Sequence, residues 1–272
     1  MTLRTLLTTF ALSATLLGLG SASAQQATEQ APPVAPSQAA DTTAARPRGE
    51  WGYGGASGPE HWAELGEDYG ICGNGQQESP IDLRDAVPAN LGKPGIDWRP
   101  VPLRVTNNGH TIQVDAPGGG TLRLRGKTYT LAQFHIHHPS EHLLNGRRFP
   151  LEIHFVHRAS DGVVGVLAVF VEQGRTNPAL RAVLDNMPGE AGTTRAVEGR
   201  TVNLRGMLPA NGTYYRYEGS LTTPPCSENV DWAVMGSPIQ ASLEQIRAFE
   251  KLYPMNARPL QALNRSFLLR NQ

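Results

Sequence analysis

Gln133-Phe134-His135-Ile136-His137 sets two imidazoles two residues apart. Side chains on a strand alternate faces with period two, so Gln133, His135 and His137 share one face while Phe134 and Ile136 pack on the other. Leu151-Glu152-Ile153-His154-Phe155-Val156 repeats the pattern, with Glu152, His154 and Val156 together. Two neighbouring strands of this kind aim three imidazoles at one point. Three neutral imidazoles leave the fourth tetrahedral position of Zn2+ open, the arrangement of a catalytic rather than a structural zinc site. Water in that position becomes acidic enough to supply a nucleophile without a side-chain base. H-x-H alone also arises on the wet face of a sheet, and on strand geometry alone Gln133 and Glu152 read as satisfied interior polar groups. His138, His142 and His157 compete as ligands on composition. His138 is out of phase with the pair, Pro139 denies His138 and His142 a helical i, i+4 face, and His157 alternates away from His154.

The elements that must carry these residues are short. Alternating segments at 103–106, 111–115, 121–125, 129–137 and 151–157 are separated by Gly, Pro and Asn, as strands are. The stretch 163–171 is apolar nearly throughout and bounded by Gly162 and Gly174, which predicts a strand buried on both faces. Helices are few. Asn177-Pro178 offers an N-cap with proline at the first helical position before 179–184, and Ser242 with Gln245 forms a capping box before 246–252. The expected fold is mainly β (α+β): a single domain around a large central, mostly antiparallel twisted sheet with short peripheral helices. No internal repeat and no glycine-rich phosphate loop is visible.

The 272 residues are 39% hydrophobic and 18% charged, enough apolar material for the core of one sizeable domain. Twenty-four basic residues balance twenty-four acidic ones with no basic block, which argues against nucleic acid as a partner. Arg4, an apolar run over 6–19 and Ala22-Ser23-Ala24 read as a signal peptide over 1–24. That run contains Thr8, Thr9, Ser13 and Thr15 and falls short of the roughly 18 to 20 apolar residues of a span, so no membrane span is expected in the mature chain. Residues 25–48 are Ala, Pro, Gln and Thr with almost no large apolar side chain, the composition of a disordered spacer. The domain then covers 49–272. Export of this kind points to a secreted protein, of the bacterial periplasm ahead of an extracellular or surface-tethered location. In an oxidising compartment Cys72 and Cys226 tend to become a disulfide, the alternative being two buried free thiols. Closing that loop contributes roughly 5 kcal/mol in the chain-entropy model. Neither cysteine lies in a C-x-x-C, so thiol redox chemistry and a thiolate zinc site lack support.

Trp51-Gly52-Tyr53-Gly54 and Gly58-Pro59-Glu60-His61-Trp62 open a series of motifs. It continues through Glu78-Ser79-Pro80-Ile81, Asn107-Asn108-Gly109-His110, the two histidine strands and Ser140-Glu141-His142. Ser220-Leu221-Thr222-Thr223-Pro224-Pro225 and Asn256-Ala257-Arg258-Pro259 complete it. In order and spacing the series resembles the α-class carbonic anhydrases from about Trp51 to the C-terminus. That resemblance implies reversible hydration of carbon dioxide to bicarbonate by zinc-bound hydroxide, with esterase activity on the side.

It also implies roles for individual residues. His135, His137 and His154 would bind zinc, oriented by Gln133, the backbone carbonyl of Asn256, and Glu152 respectively. Thr222 would accept a hydrogen bond from the hydroxide and donate to Glu141, with Thr223 on the same polar side. Val156, Val166, Leu221 and Trp232 would form an apolar wall for carbon dioxide, although as isolated residues they read as core. His110 would shuttle the proton, with Tyr53, Asn108 and Gln113 ordering the intervening waters; Gln113 stands where the best-known members carry Asn. The resemblance further implies cis peptides at Ser79-Pro80 and Pro224-Pro225, inhibition by sulfonamides and small anions, and a homodimer as one permitted assembly. Two rivals remain at this point, a non-catalytic binding module on the same fold and a zinc hydrolase whose real substrate is an ester.

Overall fold

Hydrophobic alternation becomes sheet over most of the chain in the computed structural model, which describes residues 49–272. The leader at 1–24 and the spacer at 25–48 lie outside the described residues. The first strands are β1 (Asp82–Leu83), β2 (Val87–Ala89), β3 (Gly95–Trp98), β4 (Val101–Asn107) and β5 (Ile112–Asp115). They are followed by β6 (Gly120–Leu124), β7 (Lys127–His137), β8 (Leu143–Leu144), β9 (Leu151–Arg158) and β10 (Val164–Gln173). The last are β11 (Thr193–Val202), β12 (Tyr214–Gly219), β13 (Val230–Met235), β14 (Ile239–Ala241) and β15 (Leu269–Asn271). Thirteen of them form one sheet whose main path runs β11-β4-β5-β7-β9-β10-β13-β12-β15-β2. Pairing is antiparallel from β11 to β10 and parallel at β10-β13, β10-β14 and β15-β2. The expected mainly β, mostly antiparallel architecture is the one observed.

Each face of the sheet has its own core. Phe134, Ile136, Ile153, Phe155, Leu167 and Val169 pack on one side; Val166, Ala168, Phe170, Trp232 and Val234 pack on the other. β10 is buried from Val164 to Val171, as its unbroken apolar run requires. The helices α1 (Trp62–Leu65), α2 (Ile71–Asn74), α3 (Pro178–Leu184) and α4 (Leu243–Leu252) are peripheral and short. Asn177 caps α3 by accepting from the N–H groups of Ala179 and Leu180, and the Ser242/Gln245 capping box starts α4. Buried Gln245 also hydrogen bonds both backbone groups of Asn177 and so ties the two caps together. Among the described residues no helix is long and apolar enough to cross a membrane.

Ser79-Pro80 and Pro224-Pro225 are cis, as the resemblance implies; His138-Pro139 is a third cis bond that sequence reasoning did not anticipate. Cys72 of α2 and Cys226 are bridged across 154 positions of sequence, with their Cα atoms 5.1 Å apart.

His157, excluded above as a ligand on phase, is a wholly buried core histidine. One ring nitrogen accepts from the Trp98 indole at 3.2 Å and the other donates to the Gly165 carbonyl at 3.2 Å. Burial lowers its pKa from 6.5 to about 4. The unfolded chain therefore takes up a proton between those pH values that the native chain refuses. Stability is full above pH 6.5 and falls toward pH 4, by up to about 3 kcal/mol from this group. Urea unfolding followed against pH should show this slope, and His157→Gln should flatten it relative to the parent.

Candidate metal centre and active site

Strand register decides whether the three histidines can meet. β7 and β9 pair with Leu131 opposite His157, but beyond a one-residue bulge Gln133 lies opposite Val156 and His135 opposite His154. The extra residue, Ala132, reverses the phase of β7 relative to its partner. Without it His135 would face Ile153, and His154 would point to the opposite side of the sheet. With it, the His135, His137 and His154 rings lie 4.5 to 5.3 Å apart, centroid to centroid. One ring nitrogen from each falls within 4.8 Å of the others.

The outward nitrogens are all engaged. His135 Nδ1 donates to Gln133 Oε1 at 2.9 Å, His137 Nδ1 to the Asn256 carbonyl at 2.7 Å, and His154 Nε2 to Glu152 Oε1 at 2.8 Å. These bonds fix the tautomers and leave Nε2, Nε2 and Nδ1 as inward lone pairs. Burial, reinforced by the neighbouring histidines, holds His135 well below its usual pKa; burial also lowers His137 to about 4 and depresses His154. All three rings are thus neutral, the form in which imidazole binds a metal.

Glu141 is fully buried beside them. Its Oε1 accepts from the Arg258 N–H at 2.8 Å, while Oε2 lies 3.5 Å from His137 Nε2 and 3.8 Å from His154 Nδ1. Burial is the main influence on this carboxyl and pushes its pKa up to about 7, opposed by His154, the Arg258 N–H and the Thr222 hydroxyl. His137 Nε2 and Glu141 Oε2 have no hydrogen-bond partner although both are buried. A buried ring nitrogen without a partner is rare in protein interiors, and a cation held by the three imidazoles would satisfy it. The donor set, three neutral imidazoles with one position left over, fits zinc.

A second layer of contacts positions this shell, and sequence reasoning missed most of it. His142 donates from Nδ1 to Glu152 Oε1 at 2.7 Å and from its backbone N–H to Oε2 at 2.9 Å; its Nε2 meets the Tyr217 hydroxyl at 2.6 Å. Burial alone would raise Glu152, but His142 and His154 hold it well below the usual carboxylate range. Tyr217 continues to Ser79, which accepts from the Ser220 N–H, so the support of His154 reaches the segment that precedes Thr222. The only signal of this in the sequence was the run Ser140-Glu141-His142. Buried Arg258 donates to the Glu78 carboxylate and to the carbonyls of Ser79 and Cys72.

Cross-strand pairing also brings apolar side chains together beside the histidines. Val156 of β9 lies opposite Val166 of β10, which lies opposite Trp232 of β13, and the Trp232 ring centroid is 4.9 Å from that of His154. Val156 and Leu221 are partly exposed, whereas Val166 and Trp232 are buried behind them. Thr222 is buried and Thr223 partly so, on a turn closed by Leu221 N–H to the Ser227 carbonyl and Cys226 N–H to the Thr223 carbonyl.

His110 sits apart, in the turn between β4 and β5. Its ring stacks on Trp51 at 3.7 Å between centroids and 9° between planes, beside a cavity of about 700 Å³ lined by Glu50, Tyr53, Asn108 and Tyr253. Burial lowers its pKa and Glu50 opposes that. Tyr53 packs edge-on against Trp51 and Trp62. Asn108 spends its carbonyl oxygen on the N–H groups of His110 and Thr111, and Gln113 donates its amide to Asp115 at 2.8 Å.

A family model described as eukaryotic-type carbonic anhydrase matches residues 57–271. The chain belongs to the α-carbonic anhydrase family. A carbonic anhydrase from Nostoc sp. is 42% identical over 219 residues, covering 79% of this chain and 83% of that protein. One from Pectobacterium carotovorum is 42% identical over 216 residues, covering 79% and 88%. The α-carbonic anhydrase of Thermovibrio ammonificans, solved with the inhibitor sulfanilamide, superposes with a TM-score of 0.78 at 44% identity, covering 81% of this chain and 98% of that one. As a carbonic anhydrase, the chain is an enzyme, and its family's reaction is carbon dioxide hydration.

Proposed function

We propose that the chain hydrates carbon dioxide reversibly to bicarbonate and a proton at a zinc ion held by His135, His137 and His154. One observation carries the reading: three neutral imidazoles turn their unpaired nitrogens to one point while their outer nitrogens are hydrogen bonded. Bound there, zinc supplies the Lewis acidity that makes water nucleophilic without a side-chain base.

The rest is done by the chain. Gln133, the Asn256 carbonyl and Glu152 keep each ring in the required tautomer. Thr222 accepts a hydrogen bond from the attacking oxygen and donates its own hydroxyl hydrogen bond to Glu141, which sets the direction of the attacking lone pair. The Thr222 N–H faces the substrate oxygen, and Thr223 extends the polar side. Val156 and Leu221, backed by Val166 and Trp232, give an apolar molecule a surface without charged hooks. His110 takes up the released proton at its ring by way of intervening waters ordered near Tyr53, Asn108 and Gln113, and delivers it to solvent. Esters reaching the same nucleophile are hydrolysed as a side reaction, and sulfonamides and small anions inhibit. The leader at 1–24 exports the chain to the bacterial periplasm, and 25–48 serves as a spacer.

Stopped-flow indicator assays on the zinc-loaded enzyme should show hydration far exceeding turnover of an activated ester; the reverse ranking overturns the substrate assignment. His110→Ala should lower kcat by roughly tenfold or more in weak buffer while kcat/KM stays within about twofold. Glu152→Gln keeps the shape but loses the charge facing two histidines. Its zinc affinity, measured by competition with a chelator, should fall about 10- to 100-fold.

A further inference from the structure

Asn256 does more than offer a carbonyl to His137. Its side chain is fully buried and makes three hydrogen bonds, using both N–H donors and the carbonyl oxygen. Oδ1 accepts from the His138 N–H at 2.7 Å, and Nδ2 donates to the His110 carbonyl at 3.1 Å and to the Ile136 carbonyl at 3.0 Å. The Ile136 carbonyl lies between His135 and His137 in sequence. Its second partner is the hydroxyl of buried Thr111, the residue after His110. One carbonyl on the histidine strand β7 is thus shared by donors from the C-terminal segment and from the turn that carries His110.

The turn itself is held on its other side. Asn107 accepts from the Gly109 N–H at 3.0 Å and from the Tyr253 hydroxyl, and donates to the Pro188 carbonyl. These bonds fix the loop internally and to outlying segments. Among the described residues, the side-chain bonds that tie it directly to the backbone of β7 are those of Asn256 and Thr111.

We propose that the side chains of Asn256 and Thr111 form a clamp that sets the distance between His110 and the histidine centre, acting as positioning residues for proton transfer. The proposal rests on the reading of His110 as the proton carrier. Proton transfer through ordered water depends steeply on geometry, so a loosened clamp slows that step more than the attack on carbon dioxide.

Two variants test it. Asn256→Asp sets a carboxylate against two carbonyl oxygens, and Thr111→Val removes one hydroxyl at nearly constant shape. In the metal-free protein, amide hydrogen exchange at Gly109, His110 and Thr111 should accelerate about tenfold in Thr111→Val, the loss of roughly one hydrogen bond, and by more in Asn256→Asp, which loses two. With zinc bound, kcat in weak buffer should fall about tenfold more than kcat/KM does. Added imidazole, which replaces the carrier from solution, should recover kcat. Thr111→Ser, which keeps the hydroxyl, should restore what Thr111→Val loses.

Parallel losses in kcat and kcat/KM without imidazole recovery overturn the clamp, because the two side chains then serve only His137 or the fold. Unchanged exchange in Thr111→Val also overturns it, even if Asn256→Asp fails to fold. His110→Ala separates the two readings. A split between kcat and kcat/KM in His110→Ala but not in the clamp variants rejects the clamp and leaves the carrier standing. Absence of a split in His110→Ala rejects the carrier, and with it the clamp's role in proton transfer.

Discussion

His137→Ala should leave a folded protein that no longer holds stoichiometric zinc, with carbon dioxide hydration reduced by at least about 10³-fold. His137 is the most informative of the three ligands to remove. It is buried, its inward nitrogen has no protein partner, and its outward nitrogen is fixed by a backbone carbonyl that no side-chain change can replace. Two imidazoles cannot keep the metal in competition with a chelator, and with it goes the activation of water. The structural cost is smaller. The Asn256 carbonyl loses one partner, about 1 to 3 kcal/mol, in a domain with a large core on each face of its sheet. Metal analysis, circular dichroism and stopped-flow hydration on one preparation separate lost zinc from lost fold. Full zinc content with undiminished hydration would remove His137 from the site.

Reduction of the Cys72–Cys226 bridge should lower the free energy of unfolding by up to roughly 5 kcal/mol, the chain-entropy value for a loop of this length. It should also lower activity below the unfolding transition. Cys226 closes the turn that carries Thr222 and Thr223, and Cys72 belongs to the segment whose carbonyl accepts from Arg258. The same Arg258 donates its backbone N–H to Glu141. Cutting the bridge therefore loosens both partners of the proposed Thr222–Glu141 contact. Denaturant titrations with and without reductant, and with Cys72→Ser/Cys226→Ser, measure the first effect. Hydration assays of the same samples at moderate temperature measure the second. Equal stability in both redox states would show the bridge to be incidental.

Much of this was legible in the sequence, for identifiable reasons. Period-two alternation announces β4, β5, β6, β7 and β9, and the unbroken apolar run announces β10, because burial on one face or two writes itself into residue type. Both longer helices were marked by their caps, whose hydrogen bonds are local. Register was hidden. Alternation alone puts 129–137 on a single phase, whereas the bulge at Ala132 leaves Leu131 in the same core as Phe134 and Ile136. No residue type betrays that extra position, although the meeting of His135 with His154 depends on it.

Long-range polar partners were hidden for the same reason. His142 reads in the sequence only as a competing ligand, yet it holds Glu152 and passes on to Tyr217. The motif around Asn256 implies one contact, through its backbone, and its side chain makes three more. The stacking of His110 on Trp51 joins residues far apart in sequence, and neither residue type signals the other.

Removal and return of zinc test the central claim most directly. The enzyme stripped with a chelator should be folded and inactive, and stepwise zinc should restore hydration in proportion until one ion per chain is bound, then no further. Hydration that survives complete stripping, or one tightly bound zinc per chain without hydration, would contradict the account, and the second result would leave a metal-binding module in place of an enzyme.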